Sequence, residues 1–524
     1  MKVKLSLLII IALGFAIRIS HVGRLPLILN RDEAALAYNA YLIKESGRDE
    51  WQRAFPITFE SFGDYKLPGY IYTLAAFFSV LGISDLVVRL PSVLAGTGLI
   101  AAAFVIAKKF KFSSPLALLF SLVIALQPVF VFYSRMAWEA NLALLLTVVS
   151  WYCLFLVDKS EGRASRSDLI GVGLMLLASF TYNSPLLYTP FFILALVIDR
   201  GVKQYQNWLV PVLGLALSAV FSGAILLPVS SQKSGITIFT DETVWASFIA
   251  YRRSLPAWAV NFIGNKFVYW TQIISKNLAD SFSFRYLVAN GGSHPWHNLP
   301  NHGHLTWSIY FLGLFGLGAS LFQLAKKLLN TKNSFDQRDK TKLLVIYTLI
   351  FSLVPAVITV DAPHATRSLM FFFTFSLLAV KGLKILLNLL AKYHQQIWIC
   401  FLLVLSLETS IWLKKYFIDY PQNQKMFKPG FDILIQELEQ RFPDKEVAIV
   451  ADGYQYILAA WYLKLDSSTY FETNVRQDPD RIGLRYGQQV DNYHFIDSKD
   501  DRSDSEQILV FWNQELDQWD LERL

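Results

Sequence analysis

Ionisable side chains cluster at a few places in this sequence, always between long apolar runs. Asp32 and Glu33 stand side by side in Asn30-Arg31-Asp32-Glu33-Ala34-Ala35-Leu36, where a helical pattern begins. Adjacent carboxylates at a helix start either complement the helix dipole or supply a general base. Asp64 and Lys66 follow in Ser61-Phe62-Gly63-Asp64-Tyr65-Lys66-Leu67-Pro68, a turn bracketed by Gly63 and Pro68 that enters an apolar helix. A lysine there snorkels at an interface or serves as a fixed cation. Arg135 and Glu139 are four apart, which fits an intrahelical ion pair or a polar constellation.

Asp361, His364 and Arg367 step by three, so on a helix they share one face. Pro363 suits a first helical turn. A helix N-terminus beside Arg367 and His364 suits a phosphate, with interfacial anchoring as the alternative. Arg285 precedes the run His294-Pro295-Trp296-His297-Asn298-Leu299-Pro300-Asn301-His302-Gly303-His304. Histidines this dense can bind a metal, but their spacing fits no zinc pattern and no cysteine accompanies them. A divalent metal is the lesser expectation. Tryptophan and histidine at a sugar-binding or interfacial surface is the main one.

The elements that position these groups follow from composition. The chain has 524 residues, 54% hydrophobic and 17% charged. A soluble domain is about 45–50% apolar and about 25% charged. Apolar runs alternating with charged punctuation read as membrane spans, so this is a polytopic integral membrane protein. The net charge of +7 collects as Lys and Arg in short loops, as membrane topology requires. No basic helix or stacking platform appears, so nucleic acid is excluded as a partner. Cys153 and Cys400 both lie inside apolar runs and imply no disulfide framework. Lys2 and Lys4 precede an apolar stretch to Ile19 that lacks a small-x-small cleavage site before His21. It reads as a retained first span.

Expected spans are 4–21, 86–107, 115–133, 139–157, 168–182, 184–198, 207–228, 304–325, 342–360, 368–390 and 396–413. The stretch 67–83 decides the topology. If it does not cross, the basic turns at 108–111, 163–166, 200–203, 326–342 and 381–392 share a side with Lys2 and Lys4. That gives about eleven spans, within a range of about 11–13. Lys414 and Lys415 then fall outside, a small violation of the rule. The loops 22–85 and 229–303, the turns 134–141 and 361–368, and the region 414–524 all lie on the other side. Residues 414–524 turn polar and acidic. Apolar β-prone runs at 447–450 and 508–512 alternate there with helical stretches at 431–441 and 456–465. They read as a small soluble α/β domain appended to a membrane domain at 1–413.

At these residues the chain resembles a GT-C glycosyltransferase. It is most similar to bacterial relatives of the protein O-mannosyltransferases and of the lipid A aminoarabinose transferase. The resemblance covers roughly residues 5–410. It rests on Asp32-Glu33, on the acidic-x-Lys-x-Pro element Asp64 to Pro68, on Arg135 to Glu139, and on His364 to Arg367. Relatives often carry Pro-Pro after the lysine, Asp at the position of Glu139, and Arg shortly after the Asp-Glu, where this chain has Ala35.

The resemblance implies a GT-C-like catalytic domain in the cell (plasma or inner) membrane, with its active site on the extracytoplasmic face. It implies sugar transfer from a polyprenyl-phosphate donor to a hydroxyl of a protein, lipid or glycan acceptor, with inversion. Asp32 is then the base, and Glu33 or Glu139 tunes it or positions the acceptor. The leaving lipid phosphate needs positive charge, supplied by Lys66, Arg367, His364 and Arg285. Asp64, Arg135 and His302 complete the substrate contacts. The competing readings are a transporter or lipid-linked sugar flippase, and a non-enzymatic scaffold. A transporter places charge near the bilayer midplane and shows paired halves, and neither pattern is apparent. A scaffold gives no reason for the acids and bases.

Overall fold

The computed structural model describes residues 2–157, 165–200, 205–225, 236–292, 294–329, 337–422, 424–480, 483–503 and 507–523. Parts of the basic turns at 163–166, 200–203 and 326–342 lie outside these residues. The chain is predominantly helical, with a β-rich C-terminal region. Among the described residues six helices are long and apolar enough to cross a bilayer: Asp85–Lys109, Glu139–Leu156, Trp307–Leu329, Asp339–Val357, Thr366–Leu389 and Ala391–Gln422. Ser114–Leu126 and Pro128–Ser134 make a seventh if the pair, bent by 54°, is one span. Pro68–Leu81, Asn183–Ile198 and Leu209–Ile225 are shorter apolar helices.

The bend has a local cause. Pro128 has no N–H to give the carbonyl four residues back, and the Val129 N–H donates to the His304 carbonyl instead, at 3.0 Å. The carbonyls of Ile124 and Ala125 are thereby released. Arg18, fully buried on helix α1 (Lys2–Ile19), donates to both at 2.9 Å. A charge inside an apolar helix thus satisfies backbone that a proline left open.

The chain folds as two compact units. One comprises Met1–Arg18, Leu94–Ser134 and Ala140–Tyr416. Within it Trp307–Leu329 packs closely along Leu369–Leu389. A Cβ on Gly316 would stand 2.0 Å from the Leu378 carbonyl oxygen, and one on Gly382 would stand 2.2 Å from that of Leu312. Lipid is as apolar as leucine, so helices in it associate through such close backbone packing.

The other unit comprises Ile19–Val93, Arg135–Glu139 and Phe417–Leu524. It holds helix α2 (Arg31–Ser46), a hairpin of β1 (Phe59–Ser61) and β2 (Asp64–Lys66), helix α3 (Pro68–Leu81), the first turns of α4 (Asp85–Lys109), and a six-stranded sheet. The expected strands are present as β3 (Val447–Val450) and β7 (Ile508–Asn513), the expected helices as Phe431–Arg441 and Gln455–Leu463. With β4 (Val475–Arg476), β5 (Gly487–Val490), β6 (Tyr493–Ile496) and β8 (Gln518–Arg523), the order is β4-β5-β6-β3-β7-β8. The central β3 runs parallel to β6 and β7, and the outer pairs are antiparallel. Its run Val447-Ala448-Ile449 is buried throughout, as a central parallel strand requires. Gln455–Leu463 packs on α2 as well as beside the sheet, so Tyr38, Tyr456 and Tyr470 share one core.

Candidate active site

Asn30 starts α2. Its Oδ1 accepts from the backbone N–H of Asp32 at 2.8 Å and of Glu33 at 3.0 Å. Glu33 reaches back to the Asn30 N–H at 3.2 Å, closing a capping box. The two adjacent carboxylates then part company. Glu33 is buried and saturated: Arg89 donates to it twice, at 2.9 and 3.0 Å, and the Ala137 N–H donates at 2.8 Å. Arg89 also donates to the carbonyls of Val22, Pro26 and Ile28 at 2.8 to 3.0 Å. One guanidinium therefore gathers the loop before α2, and Glu33 ties the 135–139 turn to it.

Asp32 points the other way, to Lys66 Nζ at 2.5 Å. Lys66 comes from the hairpin, whose register pairs Phe59 with Lys66 and Ser61 with Asp64. Phe62 (φ 42°) and Gly63 (φ 79°) form its two-residue turn, with both φ values positive as a tight hairpin demands. Asp64 and Lys66 are two apart on one strand, so both side chains take the same face. Lys66 thus binds Asp64 as well, at 2.8 Å. The lysine side chain is 8% exposed while Asp32 is 22% and Asp64 29% exposed. A buried cation lies behind two carboxylates that reach the surface.

The electrostatics follow from that arrangement. Burial would raise the Asp32 carboxyl, but Lys66 and then Arg31 outweigh it and hold Asp32 below its ordinary value. Burial would lower the Lys66 ammonium, but Asp32, Asp64 and Glu139 together hold it far above. The pair stays ionised, and two of the three lysine protons are engaged. Glu139 sits at the first helical position after the 135–138 turn, close enough to act on Lys66. Arg135 lies in that turn, buried, with its guanidinium 4.7 Å over the Phe417 ring. The two are therefore not a pair on one helix.

The second group belongs to the other unit. Residues 361–365 are not helical; a short 3-10 turn, Thr366–Ser368, leads into the helix Leu369–Leu389. Asp361, His364 and Arg367 therefore do not share a helical face, yet the loop brings the three together. Arg367 pairs with Asp361 and donates to Thr359 Oγ1 at 2.8 Å, and His364 Nε2 is 3.6 Å from Asp361. Pro363 stands in the loop rather than in a helical first turn. Burial, then Arg367, pushes the His364 imidazole well below its ordinary value. It offers a neutral ring, and the positive charge of this group is that of Arg367.

The histidine run folds against this loop. His297 Nδ1 lies 3.0 Å from Thr366 Oγ1, which is 3.1 Å from the Tyr133 hydroxyl. The His297 and His364 rings are 4.6 Å apart. His302 instead bonds its neighbour's carbonyl, Gly303 O, at 2.7 Å. His304 is buried against Tyr286 and Phe372, and burial pushes it down to about 3. Arg285 is exposed at the start of a single π-turn, with no hydrogen bond or ion pair to the 361–367 group among the described residues. Among those residues no group of three or more His, Cys, Asp or Glu side chains is placed to hold a metal ion.

The sequence profile of the dolichyl-phosphate-mannose-protein mannosyltransferase family matches residues 66–224. No curated protein matches the chain. The fold is similar to that of the oligosaccharyltransferase of Archaeoglobus fulgidus, in a complex with Zn and sulfate, at a TM-score of 0.52 and 11% identity. That match covers 87% of this chain and 61% of the other. The fold is that of a GT-C glycosyltransferase. The chain thus spans less than two thirds of the archaeal enzyme's length. ArnT of Cupriavidus metallidurans bound to undecaprenyl phosphate aligns at a TM-score of 0.49 and 11% identity, over 87% of this chain and 84% of its own.

Several residues of these two groups were not singled out from the sequence. Arg89 carried a signal, an arginine one turn into an apolar run. It supplies the partner for Glu33 that Ala35 does not. Tyr133, Thr366 and Thr359 carried none, because their partners are distant in sequence and their types are common in spans.

Proposed function

We propose that this chain transfers a sugar from a polyprenyl-phosphate donor to an acceptor hydroxyl, on the extracytoplasmic face of a cell membrane, with inversion. The observation that carries the reading is the Asp32–Lys66–Asp64 group: a partly open carboxylate held ionised by a buried lysine. The family whose profile begins at Lys66 is described by a dolichyl-phosphate-linked sugar, which supports a lipid-phosphate donor.

In the proposed reaction the acceptor hydroxyl attacks the anomeric carbon while its proton passes to Asp32. The bond from that carbon to the phosphate oxygen breaks, and the lipid phosphate leaves with the electron pair. A phosphate is a good leaving group and needs no general acid. Asp32 is a weak base at rest, and it suits a hydroxyl that turns acidic only as the new bond forms. Lys66, with one ammonium proton not engaged by the two carboxylates, is assigned to the donor phosphate. Asp64 holds Lys66, Glu139 tunes it, and Glu33 with Arg135 positions the α2 start and the adjoining turn. Arg367, with neutral His364 beside it, is assigned to anion binding in its own unit, without Arg285 and His302, which do not meet it among the described residues.

The test is transfer by the purified protein from polyprenyl-phosphate sugars to candidate acceptors. Asp32→Asn is expected to lower kcat by about 10²–10⁴-fold while donor binding is retained. Full transfer by that variant overturns the assignment. Solute counter-transport indifferent to Asp32 would favour a transporter instead.

A further inference from the structure

The hairpin that carries Asp64 and Lys66 has three residues in each strand. A two-stranded ribbon this short is not stable by itself, yet catalysis requires Lys66 and Asp32 to keep a fixed separation. Something else must hold it, and the C-terminal region supplies the contacts. Both backbone polar groups of the turn residue Phe62 are taken by that region. Its N–H donates to the Tyr456 hydroxyl at 3.0 Å, and its carbonyl accepts from the Arg485 N–H at 3.2 Å. The adjoining Gly63 lies flat on the 483–485 backbone. A Cβ there would stand 2.3 Å from the Gly483 carbonyl oxygen and 2.7 Å from Leu484 Cα.

Behind the turn lies a buried carboxylate. The Glu50 side chain has no solvent exposure. It is held by Asn39 Nδ2 of α2 at 2.6 Å, by the Ser61 hydroxyl of β1, by the hydroxyls of Tyr456 and Tyr470 at 3.1 and 3.3 Å, and by Arg476 Nη2 at 2.5 Å. Arg476 also lies 4.3 Å over the Trp51 ring, whose indole N–H donates to the Glu60 carbonyl on β1. Glu50 is therefore one node joining α2, which bears Asp32, the hairpin, which bears Lys66, and the C-terminal region. A buried carboxylate this fully partnered is a fixed point; deprived of one partner it becomes costly.

We propose that the C-terminal domain is the clamp of the catalytic hairpin, with Tyr456 and Arg476 as positioning residues that act on Lys66 through Phe62 and Glu50. This role rests on the transferase reading for its activity readout, but not for its structural one. Tyr456→Phe keeps the ring in its core and removes only the hydroxyl shared by Phe62 and Glu50. Arg476→Ala removes the charge, and Arg476→Lys restores it without the planar fork.

The experiment is hydrogen–deuterium exchange on the full-length protein, with transfer kinetics beside it. Tyr456→Phe is expected to speed exchange of residues 59–66 while the helix Leu369–Leu389 keeps its wild-type protection. In the same variant kcat is expected to fall about tenfold or more, since displacements near 1 Å cost on that scale, with donor KM little changed. The acid limb of the pH profile should move up, because Asp32 loses part of its contact with Lys66. Arg476→Ala should exceed Tyr456→Phe in each readout, and Arg476→Lys should recover part of the loss. Wild-type exchange at 59–66 in both Tyr456→Phe and Arg476→Ala overturns the clamp. Exchange accelerated throughout 431–523, with an unshifted acid limb in the residual activity, overturns the positioning role as well. If wild type transfers no sugar, the transferase reading fails, and exchange at 59–66 still decides the clamp.

Discussion

At the scale of single residues, adjacency in sequence did not mean shared work. Asp32 and Glu33 differ by about 100° around α2, and that rotation sends one to Lys66 and the other to Arg89. The Asp-Glu signature was legible; the division of labour was not, because it depends on partners 34 and 56 residues away. Lys66 fixes the charge state of Asp32, and this has a measurable sign. A carboxyl depressed in the folded state gives stability that is present above its unfolded value and lost as pH falls through its folded value. The acid limb of kcat/KM is expected below the ordinary aspartate value of about 3.9. Lys66→Met leaves the burial that raises Asp32 and deletes the charge that lowers it. The limb should then move above the ordinary value. A limb unchanged in this variant would remove Lys66 as the partner that sets Asp32.

At the scale of elements, hydropathy located the helices well because burial in lipid or protein demands continuous apolar runs. It did not locate the break at Pro128, and it marked 361–368 as a turn between spans without showing how Asp361, His364 and Arg367 meet there, since tertiary hydrogen bonds settle both. The C-terminal strands β3 and β7 were legible as apolar β-prone runs. The short β4, β5 and β6 were not, being too brief and too polar to show a period. The Arg89–Glu33 pair shows what an element boundary can depend on. Both side chains are 1% exposed, so removing either strands the other as a buried charge, at about 3–5 kcal/mol. Arg89→Met and Glu33→Gln should each lower the Tm of the detergent-solubilised protein. The double variant should lose clearly less than the sum, because it leaves no unpaired charge. Additive losses would show that the pair does not couple α2 to α4.

At the scale of the whole molecule, the proposed topology turns on Pro68–Leu81. Its 14 residues span about 21 Å at 1.5 Å per residue, short of a hydrocarbon core of about 30 Å. A helix of that length does not cross unaided, and with α3 on one side the basic turns gather with Lys2 and Lys4, as the positive-inside bias requires. The loop helices Glu242–Ser254 and Ala257–Ile263 then belong outside, as does 424–523. Single cysteines report this directly once Cys153 and Cys400 are replaced by alanine. In intact cells a membrane-impermeant maleimide should label Trp258→Cys and Leu516→Cys, which replace residues 75% and 63% exposed. Lys111→Cys should label only in inverted vesicles. The reverse pattern at Trp258 and Lys111, with Lys2 and Lys4 still cytoplasmic, would mean that α3 does cross; Asp32 would then stay outside while the turns 134–141 and 361–368 moved to the cytoplasmic side, which overturns the proposed topology. Labelling of Leu516→Cys apart from Trp258→Cys would separate the C-terminal region from the loop 229–303 without touching the clamp, since hairpin and clamp lie within one unit.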